Sequence, residues 1–175
     1  MDNKMLRSEI QAGFKRVDNE LSRFKKMSKC VMYGGSALAL LYATDIAIFG
    51  LNTANGLSLI GFNSIAGTAY VAQKTITMGR KNLELMKVLR KCDKQIPCAV
   101  YTNNDTKQKV VNIMKWAIGL GVIAWVIGRI PTPNFNFLMG AVPCSCMSYK
   151  YHLTRKNKHI LSAEFPRGVV DEHTR

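Results

Sequence analysis

Four apolar runs constrain this chain more than any other feature: VMYGGSALALLYATDIAIFG (31–50), GLSLIGFNSIAGTAYVAQ (56–73), VVNIMKWAIGLGVIAWVIGRI (110–130) and NFNFLMGAVPCSCMSY (134–149). Each is close to the roughly 20 helical residues that cross a hydrocarbon core about 30 Å thick. A soluble amphipathic helix shows a polar stripe at the helical period. The first run has a single charge, Asp45, and no such stripe. The third confines its charges, Lys115 and Arg129, to its ends, where long side chains reach an interface. The pattern predicts an all-α integral membrane protein, a tetraspan four-helix bundle with amphipathic cytoplasmic helices.

Charge placement tests this reading independently. Residues 1–30 hold eight Lys/Arg against four acids, 74–109 nine against three, and the tail from Lys150 six against three, whereas LNTAN (51–55) and PTPN (131–134) hold none. Under the positive-inside rule, this predicts both termini and the middle segment on the cytoplasmic side of an inner membrane. The expected organisation is a basic amphipathic helix (1–30), a first transmembrane hairpin (31–73), a basic helix and loop (74–109), a second hairpin (110–149) and a basic tail (150–175). The net charge of +14 then follows from orientation and from attraction to anionic lipid headgroups. Direct nucleic-acid binding is disfavoured, because the aromatics fall mostly in the spans and no binding motif appears. Residues 1–30 mix basic, acidic and periodic apolar positions without a short apolar core and cleavage site, so they do not read as a signal peptide.

The five cysteines (Cys30, Cys92, Cys98, Cys144 and Cys146) fall on or near the reducing side of this topology, which argues against a disulfide framework. CDKQIPC and CSC match no common zinc spacing, and the histidines (His152, His159, His173) are all in the tail. No catalytic, metal or cofactor residues are assigned, and no pairing of acid, base or nucleophile suggests an enzyme.

Small residues mark where membrane helices touch. Gly35, Ala39, Ala43 and Ala47 form one ridge at intervals of four; Ala117, Gly121, Ala124 and Gly128 form another; Gly61, Asn63, Ser64 and Gly67 suit contact in the second run. Asp45 is expected about 160° from the first ridge and roughly 7 Å from the outer end of its span at 1.5 Å per residue. Intramembrane acids face protein or water, so Arg129, Tyr42, Thr44 and Asn63 are its candidate partners, and an outward vestibule is the alternative. A helix with two occupied faces points to a homo-oligomer.

At the N-terminus, Leu6, Ile10, Phe14, Val17, Leu21 and Phe24 recur at helical spacing. The stripe suits a helix lying on a membrane surface or nearly three heptads awaiting a partner helix. After the second run, helix is expected to about residue 92, where Pro97 and an Asn-Asn-Asp turn at 103–105 break it. The last ten residues read as a flexible end.

Three function classes fit: an oligomeric sensor or anchor recruiting a cytosolic effector protein, a small channel or transporter using Asp45 and Asn63, and a holin-like lesion former. In its four spans and basic cytoplasmic segments, and in no specific motif, the chain resembles the tetraspan membrane subunit of the bacterial Kiwa anti-phage defence system. The resemblance implies an inner-membrane oligomer that senses infection and works with a cytosolic DNA-binding effector.

Overall fold

The computed structural model describes residues 3–92 and 94–164, with side-chain surroundings from Val17 onward. The described residues form four helices and no strands: α1 (Asn3–Phe49), α2 (Thr53–Lys91), α3 (Cys98–Val126) and α4 (Thr132–Ala163). The final ten residues, with the flexible end expected there, lie outside the described residues, as do the side chains of Leu6, Ile10 and Phe14.

Local chemistry sets the turns. Gly50 ends α1 in the left-handed region (φ 87°), and its N–H donates to the Ile46 carbonyl at 2.9 Å. This is the geometry for which glycine lacks the Cβ penalty. Asn52 caps α2: its side chain accepts the Asn55 N–H at 2.9 Å, and the Asn55 side chain accepts the Asn52 N–H at 2.8 Å. The reciprocal pair is a capping box built from two asparagines. At the far end of α3, Gly128 (φ 72°) donates to Trp125 and Arg129 to Ala124, both at 2.9 Å, a Schellman motif. Pro133 follows inside the first turn of α4, where its missing N–H is not needed.

Two expectations change here. Gly128 is not part of a helical ridge, since it has already left α3. Asn103, Asn104 and Asp105 are helical, because α3 begins at Cys98 just after Pro97. The amides of Asn103 and Asn104 bond to Asn157 of α4 rather than to their own backbone, so the local turn they could make is outcompeted.

The helices pack in the order α1, α2, α4, α3. Both α1 and α3 are therefore edge helices, and α2 and α4 lie between them. Burial along α1 falls on Leu21, Lys25, Ser28, Met32, Gly35, Ala39, Tyr42 and Ile46, alternating steps of four and three. That 3.5-residue repeat keeps a seam facing its neighbour. The expected ridge at intervals of four does not, because each step drifts about 40° at 3.6 residues per turn. Gly35 and Ala39 are accordingly buried, while Ala43 and Ala47 are exposed, as are Val17 and Phe24 of the N-terminal stripe. A Cβ on Gly35 would press on the Ala66 nitrogen at 3.1 Å.

The hairpin α1/α2 is fastened along its length. Tyr42 stacks on Phe62 at 5.4 Å, Gln73 Nε2 donates to Met32 Sδ at 3.7 Å, and Arg80 Nε lies 3.1 Å from the Asp18 carboxylate with Nη2 on Ser22. Residues 18–22 thus run beside α2, within the same continuous helix as the first apolar run.

The most extensive contact is α2 with α4, which run parallel. Gly61 and Gly140 meet at its crossing. A Cβ on Gly140 would run into the Gly61 carbonyl, and one on Gly61 into the backbone of Asn136 and Phe137. Only glycine permits this approach, in the manner of small-residue contacts between membrane helices. Asn136 Nδ2 donates to Ser58 Oγ at 3.3 Å above the crossing, and Asn82 Nδ2 to the Thr154 carbonyl at 2.9 Å below it. Further inward, Leu85, Leu89, Val100 and Leu161 form an ordinary apolar core, with Leu89 and Leu161 at 0% exposure.

Candidate functional site

Asp45 lies near the C-terminal end of α1. It is half-buried against the start of α2, and the partner it receives is Asn55, whose Nδ2 lies 3.4 Å from Asp45 Oδ2. The same amide donates to the Gly50 carbonyl at 2.9 Å, so Asn55, 5% exposed, uses every polar atom of its side chain. Asp45 also supplies negative charge to a helix N-terminus whose first turn has no acid, a favourable placement beside the macrodipole. Arg129 is exposed in the α3/α4 turn and Asn63 is exposed on α2; the structure brings neither to Asp45. The Thr44 hydroxyl bonds its own helix at Leu40, 2.9 Å away. Asp45 therefore belongs to the α1-facing seam with α2, not to a face opposite it. Sequence reading passed over Asn55, although Asn-x-x-Asn at a helix start has capping-box spacing.

The second ridge is partly confirmed in place. Ala117, Gly121 and Ala124 are half-buried, and Met139 of α4 packs 3.3 Å from where a Gly121 Cβ would sit. The hairpin is closed at its tip by Trp125 stacked on Phe135 at 4.8 Å, with Trp125 Nε1 donating to Thr132 Oγ1 at 3.4 Å. In the second run, Gly61 is buried and Ser64 and Gly67 half-buried, while Asn63 points away.

Because α1 and α3 stay apart, a groove of about 900 Å³ opens between them, floored by α2 and α4. Its lining is mostly apolar, and Lys107, Lys115, Lys150, Asn82, Asn104 and Asn157 contribute its polar groups. Asn157 is 1% exposed. It accepts from Asn103 Nδ2 at 2.6 Å and donates to Asn104 Oδ1 at 3.1 Å, which also accepts from Lys107 Nζ at 2.8 Å. Lys107 precedes the apolar segment that starts at Val110. Burial, and then the charge of Lys150, bring its pKa down to about 8; burial lowers that of Lys150 as well. Both effects follow from charged groups leaving water.

The cysteines are all free thiols, with Cys30, Cys92 and Cys98 exposed. Among the described residues, two helices are long and apolar enough to cross a membrane, over Val17–Phe49 and Cys98–Val126. These are the two edge helices; α2 and α4 carry more polar side chains because they lie between neighbours that satisfy them. The arrangement defines an all-helical protein of two long hairpins. No protein-family model matches the chain, and neither curated proteins nor solved structures give a match.

Proposed function

We propose that the chain is a tetraspan inner-membrane protein whose helices continue inward as a cytoplasmic stalk, and that it acts as an oligomeric sensor or anchor for a cytosolic protein partner. One observation carries this reading: the bundle reverses its polarity along its length. Toward the loops, large apolar side chains face outward, with Leu40 72% and Trp116 74% exposed, while glycine, serine and asparagine lie inside. Toward the other end, leucines lie inside beside Asn82, Thr154 and Asn157, and the described lysines and arginines are exposed or half-buried. The change falls near Tyr33, Tyr70 and Tyr149, all exposed, with Lys74 5.4 Å from the Tyr70 ring centroid. The Met32–Gln73 contact and the parallel α2/α4 pairing support a common level for the three tyrosines, as expected of an interfacial belt. From Tyr33 to Gly50, Asn52 to Tyr70 and Pro131 to Tyr149 the helices measure about 27 Å each at 1.5 Å per residue, near the thickness of a hydrocarbon core.

A homo-oligomer is favoured by exposed Asn63 within the apolar band and by exposed Ala43 and Ala47, which suit a second copy better than lipid. The stalk supplies the cytosolic surface: α1 has about 70 Å of length at 1.5 Å per residue, more than twice what a bilayer requires. If the Kiwa-like organisation holds, the partner is a DNA-binding effector and the signal is phage infection. A channel or lesion former would instead show ion flux that changes in Asp45→Asn.

The test begins with topology. Cys30, Cys92 and Cys98 react with a membrane-impermeant maleimide in inside-out vesicles but not in right-side-out ones; reaction from the outer side overturns the orientation. Charge reversal of Lys26 and Lys29 abolishes co-purification of a soluble partner while alkali-resistant membrane association persists. Retained binding removes this part of the stalk from the partner surface.

A further inference from the structure

We infer that the groove between α1 and α3 binds an anionic phospholipid, its acyl chains against the apolar wall and its phosphate between Lys107 and Lys150, with a headgroup hydroxyl donating to Asn82. The inference rests on the membrane reading above and goes beyond it by assigning a ligand site.

Three observations place the parts of such a ligand. The upper wall includes Val31, Met114, Ile118 and Met147, flexible and apolar side chains that accommodate chains without fixed shape. Lys107 and Lys150, two of the three lysines that line the cavity with Lys115, are each disfavoured there by partial burial. An anion between them offsets both burial and their mutual repulsion. Beside them in the same lining is Asn82, 6% exposed, whose Nδ2 is bonded to Thr154 while its Oδ1 is buried with no hydrogen-bond partner. A buried acceptor left unpaired is costly, and this one lines the groove. It calls for a donor, which a phosphodiester lacks and a polyol headgroup carries. Thr154 is one helical turn below Lys150, about 6 Å at 1.5 Å per residue, a separation that suits a phosphate and its terminal hydroxyl. The groove opens sideways, since α1 and α3 do not close on each other, and its charged part lies just inward of the tyrosine level, where headgroups sit.

The experiment uses the full chain purified in mild detergent, with native mass spectrometry after addition of phosphatidylglycerol or phosphatidylcholine. Phosphatidylglycerol is expected to be retained at least tenfold over phosphatidylcholine. Lys107→Gln combined with Lys150→Gln should abolish that preference, Lys107→Arg with Lys150→Arg should keep it, and Lys156→Gln with Lys158→Gln should leave it unchanged. Asn82→Leu should lower phosphatidylglycerol retention toward that of phosphatidic acid. The double Gln variant relieves a repulsion, and an unchanged or raised melting temperature shows that it folds. Equal retention of both lipids, or full preference in the double Gln variant, overturns the site. Competition by soluble glycerol phosphate at the same concentration as lipid overturns the role of the acyl chains. Alkaline extraction of native membranes separates the two readings: a chain released by alkali fails as a membrane protein, whereas a chain retained there without lipid preference fails only at this groove.

Discussion

The outer and inner halves of the bundle use the same four helices and differ in what they turn outward and in whether leucine is buried. In the outer half, contact is made by glycine at the α2/α4 crossing and by the amides of Asn55 and Asn136, with leucine and tryptophan turned outward. In the inner half, Leu85, Leu89, Val100 and Leu161 are buried, and the lysines and arginines are exposed or half-buried. The difference is physical. On the membrane reading proposed above, water surrounds the inner half, where burying leucine is favourable by roughly 25 cal/mol per Å², and lipid the outer half, where leucine gains little by turning inward and close backbone approach takes over.

Substitutions can break this contrast, and the largest effect belongs to the crossing. Gly140→Leu should lower stability by about 3 kcal/mol, read as a large fall in melting temperature in detergent. Gly79→Ala, on the same α2 with open space around it, should be neutral or stabilising by up to about 1 kcal/mol. Comparable losses at both glycines would mean that close approach is not what holds the outer half.

In the inner half, Leu89→Ala should cost about 3 kcal/mol through the cavity it leaves. Limited proteolysis should then cut the stalk while the outer hairpins stay protected, and loss of both halves together would show one cooperative unit instead of two packing regimes. Smaller effects are expected at the tip. Asn55→Ala removes the cap and Asp45's partner, for about 1 kcal/mol, while Asp45→Asn, which keeps an acceptor, should change stability little; thermal unfolding of the two variants ranks them.

The smallest effect is a pH dependence. Lys107 has a folded pKa of about 8 against 10.5 for a free lysine. Between those values the unfolded chain binds more protons, so stability should rise as pH is raised from about 8 to 10.5 in delipidated protein. The rise should shrink in Lys107→Gln and vanish when Lys150→Gln is added, because burial lowers the Lys150 pKa as well, as read from melting temperatures across that range.

Much of the fold was legible because helices leave local marks. The four apolar runs are helical over most of their length, and the first turn and the break before Pro97 appear where expected, whereas the second turn falls at 127–131 and holds Arg129. The site was less legible. A ridge at intervals of four looked like a contact face, yet only Gly35 and Ala39 of it are buried, because the neighbouring helix follows a 3.5-residue seam. Asp45 looked like a residue in search of a distant cation, and its partner proved to be an asparagine ten positions away across a tight turn. Lys107, Lys150 and Asn82 gave no signal at all, being ordinary polar residues on three different helices.

Helix content, the turn glycines and the alternation of apolar and basic segments are properties of short stretches, and the sequence by itself determined them through hydrogen bonding within the chain and the balance of burial against hydration. The order α1, α2, α4, α3 was decided only by the tertiary structure. Which helices neighbour one another depends on whether two glycines far apart in the chain, Gly61 and Gly140, can bring their backbones together. That close approach puts α2 and α4 in the middle, leaves α1 and α3 at the edges, and so creates the groove that gathers Lys107, Lys150 and Asn82.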